Sequence, residues 1–141
     1  MAFWLFNCTG DGSPGDARRR ALESLREREW EVAHGEPHRA ALAEGDLVLI
    51  YLAAPERVFI ARAELASPAR SLAVSGSSRR QAGGRFAVTL GQVERWEPPV
   101  AVEAVLARID PANQARADFD TGVVGITPDE YEAATAAAAS R

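Results

Sequence analysis

Leu47-Val48-Leu49-Ile50-Tyr51-Leu52-Ala53 is almost wholly apolar, and after Ala54-Pro55-Glu56 the chain resumes as Val58-Phe59-Ile60-Ala61-Arg62-Ala63-Glu64-Leu65. In the second run Val58, Ile60, Arg62 and Glu64 alternate with Phe59, Ala61, Ala63 and Leu65. That is the two-residue period of a strand, whose successive side chains point to opposite faces. A turn this short joins antiparallel strands, because a parallel pair needs a crossover of a dozen or more residues. The hairpin therefore argues against a wholly parallel sheet.

Working toward the N-terminus, Gly45-Asp46 opens the first hairpin strand, and Pro37 limits the segment before it to one helical turn within Pro37 to Ala43. Phe3 to Cys8 is a short apolar run ended by Thr9-Gly10-Asp11-Gly12, which reads as a buried strand. Pro14 and Asp16 start a helix whose apolar stripe is Ala21, Leu22 and Leu25, with Arg18, Arg19 and Arg20 set to reach glutamates three or four residues away. If that helix runs to Glu29, Trp30 falls ~140° from Leu25 at 100° per residue. Its indole must then pack elsewhere or line a pocket.

Toward the C-terminus, Ser67 to Gly84 lacks an apolar period and exceeds the usual connection of about 4 to 6 residues, a length often tied to function. Arg85 to Trp96 returns to a strand pattern with Phe86, Val88 and Leu90 on one face, Gly91 at a bulge, and Pro98-Pro99 at its end. Val100 to Ile109 reads as a short helix, Val123-Val124 as extended, and Pro128-Asp129-Glu130 as the first turn of a final helix running into alanines. The order predicts one α+β domain over 1–141: a curled mixed sheet or open β-barrel with helices packed over its ends.

A chain of 141 residues can bury one core, and no apolar run reaches the ~20 residues that span a bilayer. The N-terminus lacks signal-peptide features and a single cysteine cannot form an internal disulfide, so a soluble, cytoplasmic protein without membrane partners is expected. All 16 basic residues are arginine, yet the net charge is −4, which argues against nonspecific coating of nucleic acid. Arg79 and Arg80, with Arg85 and Arg70 nearby, form a local exception, read either as a solvated loop or as a phosphate clamp.

Gly10-Asp11-Gly12-Ser13-Pro14-Gly15 has the glycine spacing of a dinucleotide loop between strand and helix, but the hairpin downstream does not fit a Rossmann unit. Cys8, His34 and His38 lack the spacing of a zinc site, and neither a paired-carboxylate motif nor a nucleophile elbow is present. No metal, cofactor or catalytic residue is implied.

Ala2-Phe3-Trp4-Leu5-Phe6, Trp30-Glu31-Val32, Gly45 to Tyr51 and Ile60 to Leu65 occur in the order found in the EVE domain. Gly84-Arg85-Phe86-Ala87-Val88, Trp96-Glu97-Pro98-Pro99 and Thr127-Pro128-Asp129-Glu130-Tyr131 continue the likeness over nearly the whole chain. The sequence thus resembles that family, which belongs to the PUA-like group with the YTH and ASCH domains. The resemblance implies a non-enzymatic module whose pocket accepts a single flipped, often modified base in DNA or RNA, within a bacterial restriction or RNA-modification system and beside its partner proteins. It places Trp30 as the aromatic wall, Asn7, Cys8 and Thr9 at the base edge, and Glu31 and Val32 in the segment after the wall. Such a pocket needs a stacking surface, oriented polar groups and a cationic rim. Ser67 to Gly84 carries no aromatic to serve as second wall, leaving Tyr51, Trp4 or Phe6 as substitutes. A small-molecule binder or enzyme using the same pocket is the alternative, favoured by the acidic net charge.

Overall fold

A computed structural model describes residues 1–8, 15–33, 35–53, 56–71, 85–109 and 122–140. The elements are β1 (Phe3–Cys8), α1 (Asp16–Glu27), β2 (Glu29–Ala33), a 3-10 turn (Arg39–Ala41), β3 (Leu47–Leu52), β4 (Val58–Leu65), β5 (Arg70–Ser71), β6 (Arg85–Ala101), α2 (Val102–Leu106), β7 (Val123–Gly125) and α3 (Pro128–Ala139). They form one seven-stranded mixed sheet in the order β2-β6-β4-β3-β1-β7, with β5 also on β6. The expected α+β class, curled sheet and covering helices are all present. β3 and β4 pair antiparallel as the hairpin predicts, whereas β1 lies parallel to β3.

The curl comes from β6. Its first residues pair with β2 and β5, and from Leu90 onward it pairs with β4, so one long strand carries the sheet around a corner. Two apolar clusters result, one on each face. Trp4, Phe6, Trp30, Val32, Val48, Ile50, Val88 and Leu90 fill the concave side beneath Ala21 and Leu25 of α1. Leu5, Leu49, Tyr51, Phe59, Trp96 and Val100 pack under α2 and α3 on the other.

Three local expectations are corrected. Helix α1 stops at Glu27 because Arg28 turns left-handed at φ 58°, and the chain continues as β2. Trp30 is thus a strand residue opposite Val88, and the helical wheel does not apply to it. Strand β6 passes through Pro98 and Pro99 to Ala101. The ladder jumps from Ala61↔Arg95 to Phe59↔Val100, so both prolines fall where no ladder N–H is required. Finally, Arg19 and Arg20 pair with Asp16, and Arg18 reaches Glu56 across the fold at 2.6 Å, in place of glutamates within the helix.

The last helix begins as the sequence predicts. Thr127 Oγ1 accepts from the Glu130 N–H at 3.1 Å, and Glu130 Oε1 accepts from the Thr127 N–H at 2.8 Å, a reciprocal capping box with Pro128 in the first turn. Thr127→Ala should lower the unfolding free energy by about 1 kcal/mol, seen as a lower urea midpoint at unchanged slope, while Thr127→Ser should stay near wild type.

Candidate functional site

Strand alternation separates the residues expected to share one pocket. Trp4, Phe6, Cys8, Trp30 and Val32 belong to the concave cluster, Cys8 at its margin. Tyr51, opposite Asn7 in the β1–β3 register, belongs to the cluster under α2 and α3. Trp30 is 6% exposed and stacked on Phe6 with ring centroids 5.9 Å apart, so it is a core side chain rather than an open wall. None of the substitute walls is open either. Trp4 is buried and donates its indole N–H to Asp46 Oδ2 at 2.9 Å, Phe6 is fully buried, and Tyr51 packs on Phe59 at 4.9 Å. Glu31 points outward from β2 and Val32 inward. Thr9, Arg79, Arg80 and His34 lie outside the described residues, and of Arg85 only the backbone is described, paired with Ala33.

What the fold does bring together is a set of chain ends. The Asn7 N–H donates to the Gly122 carbonyl at 2.8 Å, and a Cβ on Gly122 would stand 2.9 Å from Glu36 Oε2. The Glu36 N–H donates to the Ala33 carbonyl at 3.1 Å, Ala33 pairs with Arg85, and Phe86 pairs with Ser71. Cys8, Ser71, Arg85 and Gly122, which border segments 9–14, 72–84 and 110–121, therefore lie at one pole of the sheet, and 72–84 carries Arg79 and Arg80 in sequence.

At this pole the Cys8 thiol donates to the Ala17 carbonyl at 3.3 Å. Burial pushes the thiol above its ordinary value, Arg20 offsets part of that rise, and Asp16 adds to it. A thiol held protonated at neutral pH serves as a polar donor and is a poor nucleophile. Among the described residues no group of three or more His, Cys, Asp or Glu side chains is placed to hold a metal ion, and no helix is long and apolar enough to cross a membrane.

Sequence reasoning missed a second concavity, an open cleft of about 700 Å³ beside α3 whose polar lining is Arg28, Arg62, Glu64, Gln92, Glu94 and Tyr131. Its origin is a bulge in β4. The register shifts between Phe59 and Ala61, so Ile60 and Ala61 both enter the concave core. Arg62 and Glu64 then face α3, off the apolar register that Ala61, Ala63 and Leu65 occupy. Arg62 Nη2 donates to Glu94 Oε2 at 3.1 Å and also bonds the Tyr131 hydroxyl. Trp96 Nε1 donates to the other Glu94 oxygen at 2.9 Å. Burial raises the Tyr131 phenol above its ordinary value, with Arg62 opposing the rise and Glu94 and Glu64 adding to it. The available signal was a pair of charged residues in a strand flanked by apolar neighbours on both sides of the sequence.

The chain shares its fold with solved structures across nearly its full length. A hypothetical protein from Leishmania major superposes with a TM-score of 0.67 at 13% identity, covering 99% of this chain and 96% of that one. A Pseudomonas putida protein gives 0.64 at 14% identity, covering 97% and 99%. The ASCH protein of Zymomonas mobilis gives 0.59 at 11% identity, covering 96% and 94%. At these identities the likeness shows the fold alone, a fold this chain shares with the ASCH protein. No family model matches the sequence, and no curated protein matches it.

Proposed function

We propose that this PUA-like chain is an EVE-like, non-enzymatic nucleic-acid-binding module that reads a single flipped base, a modified one, at the pole where segments 9–14, 72–84 and 110–121 attach. The observation that supports this reading is the convergence of Asn7, Ala33, Glu36 and Gly122 on one another. It sets the strand end that carries the Asn7 amide beside the attachment of the arginine-bearing segment. A flipped base needs both, polar groups for its edge and cations for its phosphates. Trp30 and Phe6 lie beneath as a stacked aromatic floor in the core, and they hold β1 and β2 in place.

Titration with oligonucleotides carrying one modified base, and with their plain counterparts, tests the reading through tryptophan fluorescence. Saturable binding that is tightest for a modified base and falls steeply with added salt is expected. Salt-independent binding of a free nucleoside would support a small-molecule site instead, and no binding of any oligonucleotide would overturn the proposal.

A further inference from the structure

The cleft beside α3 holds some groups whose hydrogen bonds are already made and others that are available. A guanidinium only donates, so in the Arg62–Tyr131 bond the phenolic oxygen accepts, and the Tyr131 proton remains to be donated. Glu94 accepts from Arg62 with one oxygen and from the Trp96 indole with the other, so its charge is already met. Among the described residues neither the Arg28 guanidinium nor the Gln92 amide has a side-chain partner, and Glu64 has no ion pair. Arg28 and Gln92 also hold left-handed backbone conformations, φ 58° and 49°, which non-glycine residues seldom adopt outside constrained or functional positions. The cleft thus presents two side-chain donors and a phenolic proton together with a half-buried carboxylate acceptor.

We propose that this cleft holds one internal nucleotide of an RNA strand, with Arg28, Gln92 and Tyr131 donating to the phosphodiester oxygens and Glu64 accepting from the 2′-hydroxyl. The inference rests on the reading of the chain as a nucleic-acid binder and adds a second contact, RNA in its chemistry. Charge favours an internal unit. The two arginines and two glutamates of the cleft cancel, so an internal diester adds one negative charge facing Glu64 where a terminal phosphate dianion adds two, and the internal unit is the less repelled. Size agrees, since about 700 Å³ accommodates a nucleotide-sized group. A second cleft of about 430 Å³ shares Arg62 and Glu94, so the depression continues along α3 as a strand requires. The 2′-hydroxyl is the group by which a protein separates RNA from DNA at one position.

Anisotropy titrations of the full chain with a short single-stranded RNA and the DNA of the same sequence test this. Wild type should bind the RNA about tenfold more tightly than the DNA. Arg28→Ala should weaken RNA binding about tenfold and reduce the slope of log affinity against log salt by about 0.7, a change that loss of structure alone would not produce. Glu64→Ala should bring the RNA-to-DNA ratio to about one, and circular dichroism would verify that both variants are folded. Equal binding of RNA and DNA by wild type, or unchanged behaviour of both variants, overturns the RNA cleft while leaving the nucleic-acid reading intact. Failure of wild type to bind either strand overturns both.

Discussion

Trp30→Ala should lower the unfolding free energy by about 3 to 5 kcal/mol, the range for deleting a large aromatic from a packed core. The indole is 6% exposed and stacked on Phe6, and it shares its cluster with Leu25, Val88 and Leu90. Truncation removes contacts with α1, β1 and β6 together. It also acts on the end strand of the sheet order, since among the described residues β2 pairs with β6 alone and contributes Trp30 and Val32 to the core. Set against a typical total of about 5 to 15 kcal/mol, the loss is large enough to populate the unfolded chain. Trp30→Phe should cost less, because it keeps a ring against Phe6. Urea denaturation of the three proteins is the measurement. A change below about 1 kcal/mol for the alanine variant would mean that the indole is a free wall rather than core, since surface substitutions stay near 0.5 kcal/mol.

The same residue shows where sequence reading succeeds and where it stops. Glu29-Trp30-Glu31-Val32-Ala33 alternates as a strand does, and the structure buries Trp30 and Val32 while exposing the other three. That pattern was legible, but the helix end before it was not, because Arg28 makes the left-handed turn that glycine usually signals. Period 2 also implies that Asn7 and Cys8 cannot line one wall of a regular strand, whatever a family resemblance suggests. By contrast, the bulge in β4 has no mark in Val58-Phe59-Ile60-Ala61. It arises from pairing with β3 and β6, and without it strict alternation groups Arg62 and Glu64 with Ile60. The hairpin, the first strand and the start of the final helix depended on local chemistry and were read correctly. The α3 cleft depends on register between strands distant in sequence, so it became visible only in the assembled sheet.

Asp46 carries the other large expected effect, although in the sequence it marks only the start of a strand. Its carboxylate is 3% exposed and accepts from the Ala2 N–H at 3.0 Å, the Trp4 indole at 2.9 Å and the Ala43 N–H at 3.1 Å. It therefore ties β1 to the entrance of β3 and to the chain just before it. Asp46→Ala leaves three donors without that acceptor, two of them on the chain's first strand or just ahead of it, and should cost about 3 kcal/mol or more. Burial pushes the Asp46 carboxyl up, but the bonds from Ala2, Trp4 and Ala43 together outweigh it, and the net shift is downward. A carboxyl that binds its proton less readily when folded stabilises the fold fully above its unfolded value of about 3.9, and that contribution fades as pH falls through the lower folded value. Asp46→Asn retains the shape but loses the charge and one of the two accepting oxygens, so the pH dependence of its stability gap, rather than the size of the gap, reports the charge. At neutral pH the asparagine variant should be clearly less stable than wild type, and the gap should narrow as denaturation is repeated at pH values descending below about 4. A gap constant across that window would show that the lost acceptor oxygen, not the buried charge, accounts for the loosening of the first strand from the third.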